Sequence, residues 1–338
     1  MTIKKPNQQK GLKLETDPQM ELFYWTGASD ETSGSIAIYD TINKYVYGRK
    51  GERFAKDIGE RIERTYRLAN DSFQVVITPA RLRHKVKGVE TVSLVYPSER
   101  EEIVEEALRK LCSSGGGTWI DEEAGLFFTL GQVQSELERH GHGYNKREIR
   151  EALEILADSK LEIYSTDGEM KWISAYFPGL RLTTRDDYLK AGKNALCFVK
   201  FHSLVTRSIR KINYRQYNYD RFMRLPNAIA RSIYKRLVHA FTYAATGQSY
   251  HFKMLDMLNN AGHTPSARIR QDRAKLDSAL ESLMEEQVLL HFDSSPIKDG
   301  RTVVDFKYVV EACPEFISEQ IRANKLIKDN RLSVDAAF

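Results

Sequence analysis

Ten basic residues and one acid lie between positions 200 and 236: Lys200, Arg207, Arg210, Lys211, Arg215, Arg221, Arg224, Arg231, Lys235 and Arg236 against Asp220. Phe201, Tyr214, Tyr217, Tyr219, Phe222 and Tyr234 are interleaved with them. Clustered bases repel one another unless a polyanion offsets them, so this pattern points to phosphate binding. The plainer alternative is a solvated helix face. The reverse imbalance lies between Glu99 and Glu123, where eight acids face only Arg100, Arg109 and Lys110. An acidic helix there is expected to offer a surface for protein contacts.

Other chemistry finds less support. His140-Gly-His142 has the spacing of a metal pair, and seventeen tyrosines include possible nucleophiles for DNA nicking. That pair falls in a predicted turn, with no further His, Asp or Glu cluster beside it. No G-x-x-x-x-G-K-[ST] phosphate loop is present, and Gly115-Gly-Gly117 lacks the lysine and helix of one. Gly192-Lys193-Asn194 reads as a turn. No Ser/His/Asp or Cys/His arrangement stands out, so neither catalysis, a cofactor nor a metal is expected. Cys112, Cys197 and Cys313 are odd in number and far apart, which argues against a disulfide framework and for a reducing cytoplasm.

The elements that must carry the bases emerge from an internal repeat. At 338 residues the chain should hold about two domains. Its net charge is +5, its pI near 8.9 and its mean hydropathy −0.49, with no run of the ~20 apolar residues a membrane span needs. The polar start lacks a signal-peptide core.

Ile103, Val104, Ala107, Leu108 and Leu111 predict one helix, stopped at 113–117. Phe128–Val133 leads into a second, ending near Gly141. Asn145 and Glu148 form a capping-box pattern ahead of a third, which buries Ile149, Ala152, Leu153 and Leu156. A hairpin then turns at Asp167-Gly168.

The order recurs from Leu225 to Val310. Pro226 opens a helix with Ile229, Ile233, Leu237 and Phe241 on one face. His251–Leu258 is a short helix, Thr264-Pro265 caps the next, and Ile269, Leu276, Leu280 and Leu283 form its buried side. A hairpin surrounds Asp299-Gly300. The fold class is therefore α+β, with two tandem winged helices preceded by a small antiparallel sheet region over Arg61–Tyr96. A last helix is expected from Pro314 to about Ile327.

In a helix-turn-helix the N-terminal part of the last helix enters the major groove. From Tyr144 to Leu156, Lys146, Arg147 and Arg150 are balanced by Glu148, Glu151 and Glu154. From Ser266 to Ser278, Arg268, Arg270, Arg273 and Lys275 exceed Asp272 and Asp277 by two. The apolar positions turn Arg268, Gln271, Lys275 and Ser278 outward, and Arg and Gln pair bidentately with guanine and adenine. The second helix is the better reader. Lys298 and Arg301 at the second wing tip would touch phosphate or the minor groove.

With those elements in place, the chain resembles the plasmid replication initiator (Rep) proteins of bacteria, including the broad-host-range type. The likeness rests on Ile38-Tyr-Asp-Thr-Ile-Asn-Lys-Tyr-Val-Tyr-Gly48, Phe73-Gln-Val-Val-Ile-Thr-Pro-Ala-Arg81 and Pro97-Ser-Glu-Arg-Glu-Glu-Ile-Val-Glu-Glu-Ala-Leu-Arg-Lys110. It continues in Phe201-His-Ser-Leu-Val-Thr-Arg-Ser-Ile209 and Arg215-Gln-Tyr-Asn-Tyr219, covering roughly 36–321. The resemblance implies binding to tandem duplex repeats (iterons) at an origin and promotion of its opening. It also implies recruitment of host replication proteins such as DnaA and the helicase, autorepression, and a homodimer in equilibrium with monomer. In that family the second winged helix reads sequence while the first dimerises and contacts the backbone. By position, the reading role carries onto Arg268, Arg270, Gln271, Arg273 and Lys275.

These readings divide the chain into a polar tail (1–35), the sheet region with the first winged helix (36–215), the second winged helix (216–327) and a C-terminal tail (328–338). DNA contacts are expected from Ser266, Arg268, Arg270, Gln271, Arg273, Lys275, Lys298 and Arg301. Asn145, Lys146, Arg147 and Arg150, with Arg207, Arg210, Lys211, Arg215 and Arg224, would add backbone contacts. The alternatives are a winged-helix transcriptional repressor and a non-catalytic protein-assembly module using the acidic helix 99–111.

Overall fold

A computed structural model describes residues 31–335 apart from 48–52, 58, 69–70, 87–88, 169, 185–186, 188, 191, 193–194, 212 and 267. Most of the expected N-terminal tail, four residues of the sheet region (69–70 and 87–88), Gly48, Lys193-Asn194 and the last three residues of the C-terminal tail lie outside the described residues.

The chain opens with β1 (Thr32–Ser35), α1 (Ala37–Thr41), the hairpin β2 (Ile62–Leu68) and β3 (Asp71–Thr78), and the ribbon β4 (Ala80–Val86) and β5 (Val89–Val95). The first winged-helix unit follows as α2 (Glu99–Leu111), β6 (Gly117–Ile120), β7 (Glu123–Phe128), α3 (Leu130–Arg139), α4 (Lys146–Asp158), β8 (Lys160–Ser165) and β9 (Lys171–Ala175). β10 (Gly179–Arg181), β11 (Cys197–Lys200), α5 (Ser203–Arg210), β12 (Arg215–Asn218) and α6 (Tyr219–Arg224) lead to the second unit. That unit holds α7 (Ala228–Ala240), β13 (Ser249–Lys253), α8 (Met254–Asn260), α9 (Ile269–Glu285), β14 (Leu289–Asp299) and β15 (Thr302–Ala312), and α10 (Pro314–Asp335) follows it.

Local chemistry explains the helix starts. Ser98 with Glu101, Thr129 with Gln132, and Asn145 with Glu148 each form a reciprocal capping box, satisfying amides the helix leaves open. The expected apolar faces are buried: Ile103, Val104, Ala107 and Leu108 on α2, and Ile149, Ala152, Leu153 and Leu156 on α4. Both expected hairpin turns use a left-handed glycine, Gly168 at φ 78° and Gly300 at φ 59°.

Three expectations change and one is extended. The sheet region precedes the first winged helix in the chain and also joins its wing: β3 pairs antiparallel with β8, giving the order β2-β3-β8-β9. Val75 faces Ile163 and Ile77 faces Leu161 across that pairing, all four buried. β4 and β5 form a separate two-stranded ribbon. The segment expected as a helix from His251 begins as a strand, because Tyr250 and Phe252 alternate onto Phe241 and Tyr308. Thr264-Pro265 does not cap α9. Instead the buried Asp272 accepts the Ser266 N–H at 2.6 Å, and the Ser266 hydroxyl accepts the Arg268 N–H at 3.1 Å. α10 continues past Ile327 to Asp335.

The largest difference concerns charge. α2 is buried on its acidic side as well as its apolar one, with Glu101, Glu102, Glu105 and Glu106 inside. Arg231 Nε donates to Glu102 at 2.9 Å and its Nη2 to Glu99 at 2.7 Å, while Lys235 lies 3.2 Å from Glu106. Glu105 accepts from the Tyr39 hydroxyl at 2.7 Å and pairs with Lys44 at 3.2 Å. Arg109 reaches Asp40. Burial alone would raise the Asp40 carboxyl, but the charges of Arg109, Lys235 and Lys44 overcome it and hold it well below the usual carboxylate range. The acidic helix is therefore an internal strut between the two units. It offers no acidic face for a partner, which removes the basis of the protein-assembly alternative.

His202 sits at the start of α5 with Nδ1 accepting the Leu204 N–H at 3.1 Å, a role only the neutral ring fills. Burial, aided by Lys44, lowers its basicity to about 3. An unfolded histidine titrates near ~6.5. Between those values the unfolded chain binds the extra proton, so stability falls as pH drops from about 6.5 towards 3. The expected loss is roughly 2–3 kcal/mol by about pH 4.5. His202→Asn keeps a capping acceptor without titrating, and its denaturant midpoint should depend less on pH over that range. Parallel pH profiles for the two proteins would contradict this.

Candidate nucleic-acid interface

α9 is held by Leu276, Ala279, Leu280 and Leu283, all fully buried. Its opposite side exposes Gln271, Ala274, Lys275 and Ser278, spaced three and four residues apart, with Arg268 and Arg270 exposed at the N-terminal end. Such a stripe matches the helix period, with both a bidentate amide and bases at the end that enters a groove. Lys275 Nζ lies 2.9 Å from His263 Nε2 and 3.7 Å from Asp272.

Two members of the expected set serve the helix itself. Arg273 donates to Ser294 Oγ at 3.1 Å, lies 3.4 Å from Asp277 and stacks 4.6 Å over the Phe306 ring, clamping α9 to the wing. The Ser266 hydroxyl is engaged with the backbone of Arg268. The wing is eleven residues long in each strand and exposes Lys298 and Arg301 on either side of Asp299-Gly300.

In the first unit the exposed bases of α4 lie at its beginning. Lys146 and Arg147 are exposed, and Asn145 Oδ1 caps the helix by accepting from Arg147 and Glu148 N–H at 2.9 and 3.1 Å. Arg150 donates to the Thr183 carbonyl at 2.7 Å. Farther along, Ile155 is buried against Ala80 and Val95, and Asp158 accepts the Arg81 N–H at 2.6 Å. The open residues of that second half, Glu154 and Asp158, are acids that repel phosphate, so α4 reaches a backbone through its first turn.

The basic stretch 200–236 is largely neutralised from within, which corrects its reading as one continuous clamp. Lys200 pairs with Asp121 and Glu123, Arg221 with Glu319, and Arg231 and Lys235 with α2. Arg236 donates to the Arg67 carbonyl. Arg215 is buried and donates to Gln320 at 2.8 Å and Asn324 at 2.7 Å, so it holds α10 and has no path to a phosphate. Arg224 is exposed but engaged by Glu286 through both Nε and Nη2. Arg207, Arg210 and Lys211 remain exposed at the end of α5. Arg210 also lies 4.9 Å over the Trp119 ring and Arg207 5.8 Å over Trp172, which fixes their direction.

Replacing Arg207 and Lys211 with alanine should weaken binding to all duplexes alike and lower the salt slope by about 2. A change confined to one base position would contradict a backbone role for them.

His140 and His142 do not converge. His140 Nε2 lies 3.0 Å from Asp220 and its Nδ1 3.0 Å from the Glu136 carbonyl, whereas His142 Nε2 is 3.0 Å from the Met223 carbonyl. Both rings tie the α3–α4 turn to α6, and burial lowers the basicity of His142. The turn is less exposed than expected. One basic element carried no expectation from the sequence: β4, whose Arg81 and Arg83 are exposed.

No helix among the described residues is long and apolar enough to cross a membrane. No family model matches the chain, and no curated protein matches it. Among solved structures, the chain is similar to domains 2 and 3 of RctB, with a TM-score of 0.47, 8% identity, and 86% of this chain and 98% of that one covered. A second structure of RctB domains 2–3 gives 0.47, 7%, 83% and 98%. The Pi initiator protein, solved in complex with iteron DNA, gives 0.42, 11%, 64% and 91%.

Proposed function

We propose that the chain is a non-enzymatic replication initiator that binds tandem duplex repeats at a plasmid origin. The observation that carries this reading is the exposed Gln271/Lys275/Ser278 stripe of α9, led by Arg268 and Arg270 and flanked by the long wing. Gln271 would read adenine and Arg270 or Lys275 guanine in the major groove. Lys298 and Arg301 would hold the adjacent backbone, and Lys146 and Arg147 a second stretch of it. The Rep-like sequence strings support the repeat-binding form over a general one.

Opening of an adjacent A·T-rich segment would come from bending strain and from recruited host proteins, DnaA and helicase among them. Equilibrium between homodimer and monomer, autorepression and a cytoplasmic location belong to the same reading. The plasmid-maintenance assay tests it: the gene with its adjacent DNA should sustain a replicon in a polymerase-competent host. Failure there, with retained binding to an operator, would favour the repressor.

A further inference from the structure

Around α2 almost every arginine side chain meets an acid; in the β4–β5 ribbon the acid beside Arg81, Asp158, accepts only its backbone N–H, at 2.6 Å. The ribbon is rooted on the first unit by a small cluster of Ala80, Val95, Ile155 and Leu82. Paired positions then run from Ala80↔Val95 to Val86↔Val89, roughly 20 Å of strand. Ala80 and Leu82 face α4, so the period of two places Arg81 and Arg83 on the opposite side, across from Leu94 and Val92. Both arginine side chains are exposed, and neither has an ion-pair partner among the described residues. In sequence, Lys85 and Lys87 continue the series, and Glu90 is the one acid between 80 and 95.

A two-stranded ribbon is marginal in water; among the described residues this one is joined only at its base, by Phe54 opposite Val95, and farther out it exposes Val89 (65%) and Val92 (59%). Charges on an exposed strand do protect it from pairing with other chains. Lysine is the usual residue for that purpose, whereas Arg81 and Arg83 carry the planar guanidinium that matches phosphate. The root lies on α4, a helix about 20 Å long whose first turn offers Lys146 and Arg147. A turn of duplex spans about 34 Å. The ribbon thus stands within one helical turn of any backbone those residues touch. Arginines mixed with exposed apolar side chains suit the minor groove and its phosphate walls.

We propose that the β4–β5 ribbon is a separate duplex-DNA contact, with Arg81 and Arg83 on the phosphates bordering the minor groove beside the site of the first winged helix. This rests on the DNA-binding reading above. The test compares the full chain with Arg81→Glu/Arg83→Glu on duplex taken from beside its own gene, by fluorescence anisotropy over a salt series. The double variant should bind roughly 10- to 100-fold more weakly, with a salt slope lower by about 2. Arg81→Lys/Arg83→Lys should keep the slope, and Arg81→Gln/Arg83→Gln should lose it without reversing charge. A glutamate variant that melts like the parent and binds with the parent's affinity and slope overturns the ribbon contact and leaves edge protection. If the parent binds no duplex, the initiator reading falls and the ribbon contact with it.

Discussion

Arg231→Met should destabilise the protein by about 3–5 kcal/mol at neutral pH, measured by denaturant unfolding. Arg231 is 1% exposed and makes the ion pairs with Glu102 and Glu99, besides donating to the Leu225 carbonyl at 3.1 Å. Methionine fills similar space but leaves Glu102 buried without its cation and beside the like charge of Glu106. Burial already raises the Glu102 carboxyl, with Arg231 the principal opposing charge. Without the guanidinium that carboxylate must either stay charged at high cost or take up a proton. Adding Glu102→Gln should therefore recover part of the loss, since the two sites share one interaction and their effects are not additive. A loss below about 1 kcal/mol would mean that the seam between the two units is held by apolar packing, with the ion pairs incidental.

The second large effect is on recognition. Gln271→Ala with Lys275→Ala should remove two groove contacts worth about 1–3 kcal/mol each, and so lower affinity for the cognate site by at least ~30-fold. Binding to random duplex should fall less than ~10-fold, because only one charge is lost. The fold should persist, since both side chains are exposed and the core side of α9 is Leu276, Leu280 and Leu283, although Lys275 also gives up its contacts with His263 and the buried Asp272. Equal loss on cognate and random DNA would reassign α9 to backbone contact.

Local signals in the sequence translated directly. The Asn145/Glu148 capping box, the Asp167-Gly168 and Asp299-Gly300 turns and the apolar periods of α2, α4 and α9 are decided by neighbours a few residues apart. Long-range pairing left no such trace. Nothing in Phe73–Ile77 says that its neighbour will be β8, and nothing in Arg231 or Lys235 says that each will find a glutamate some 130 residues earlier on α2. Charge counted along the chain therefore misled. The basic stretch and the acidic helix largely cancel in space, leaving Arg207, Arg210 and Lys211 exposed together. The ribbon shows the opposite case: its few bases look ordinary in sequence, and Arg81 and Arg83 stand out only because both side chains are exposed with no ion-pair partner among the described residues. The cap of α9 was missed because Asp272 reaches back to Ser266 from inside the helix.

Sequence-specific binding of repeated sites through α9 is the central claim, and DNase footprinting on the DNA flanking the chain's own gene tests it most directly. The account predicts several protected blocks at regular spacing, each about two helical turns long. All should disappear together when Gln271 and Lys275 are replaced. A single palindromic block, or protection that survives those replacements, would contradict it.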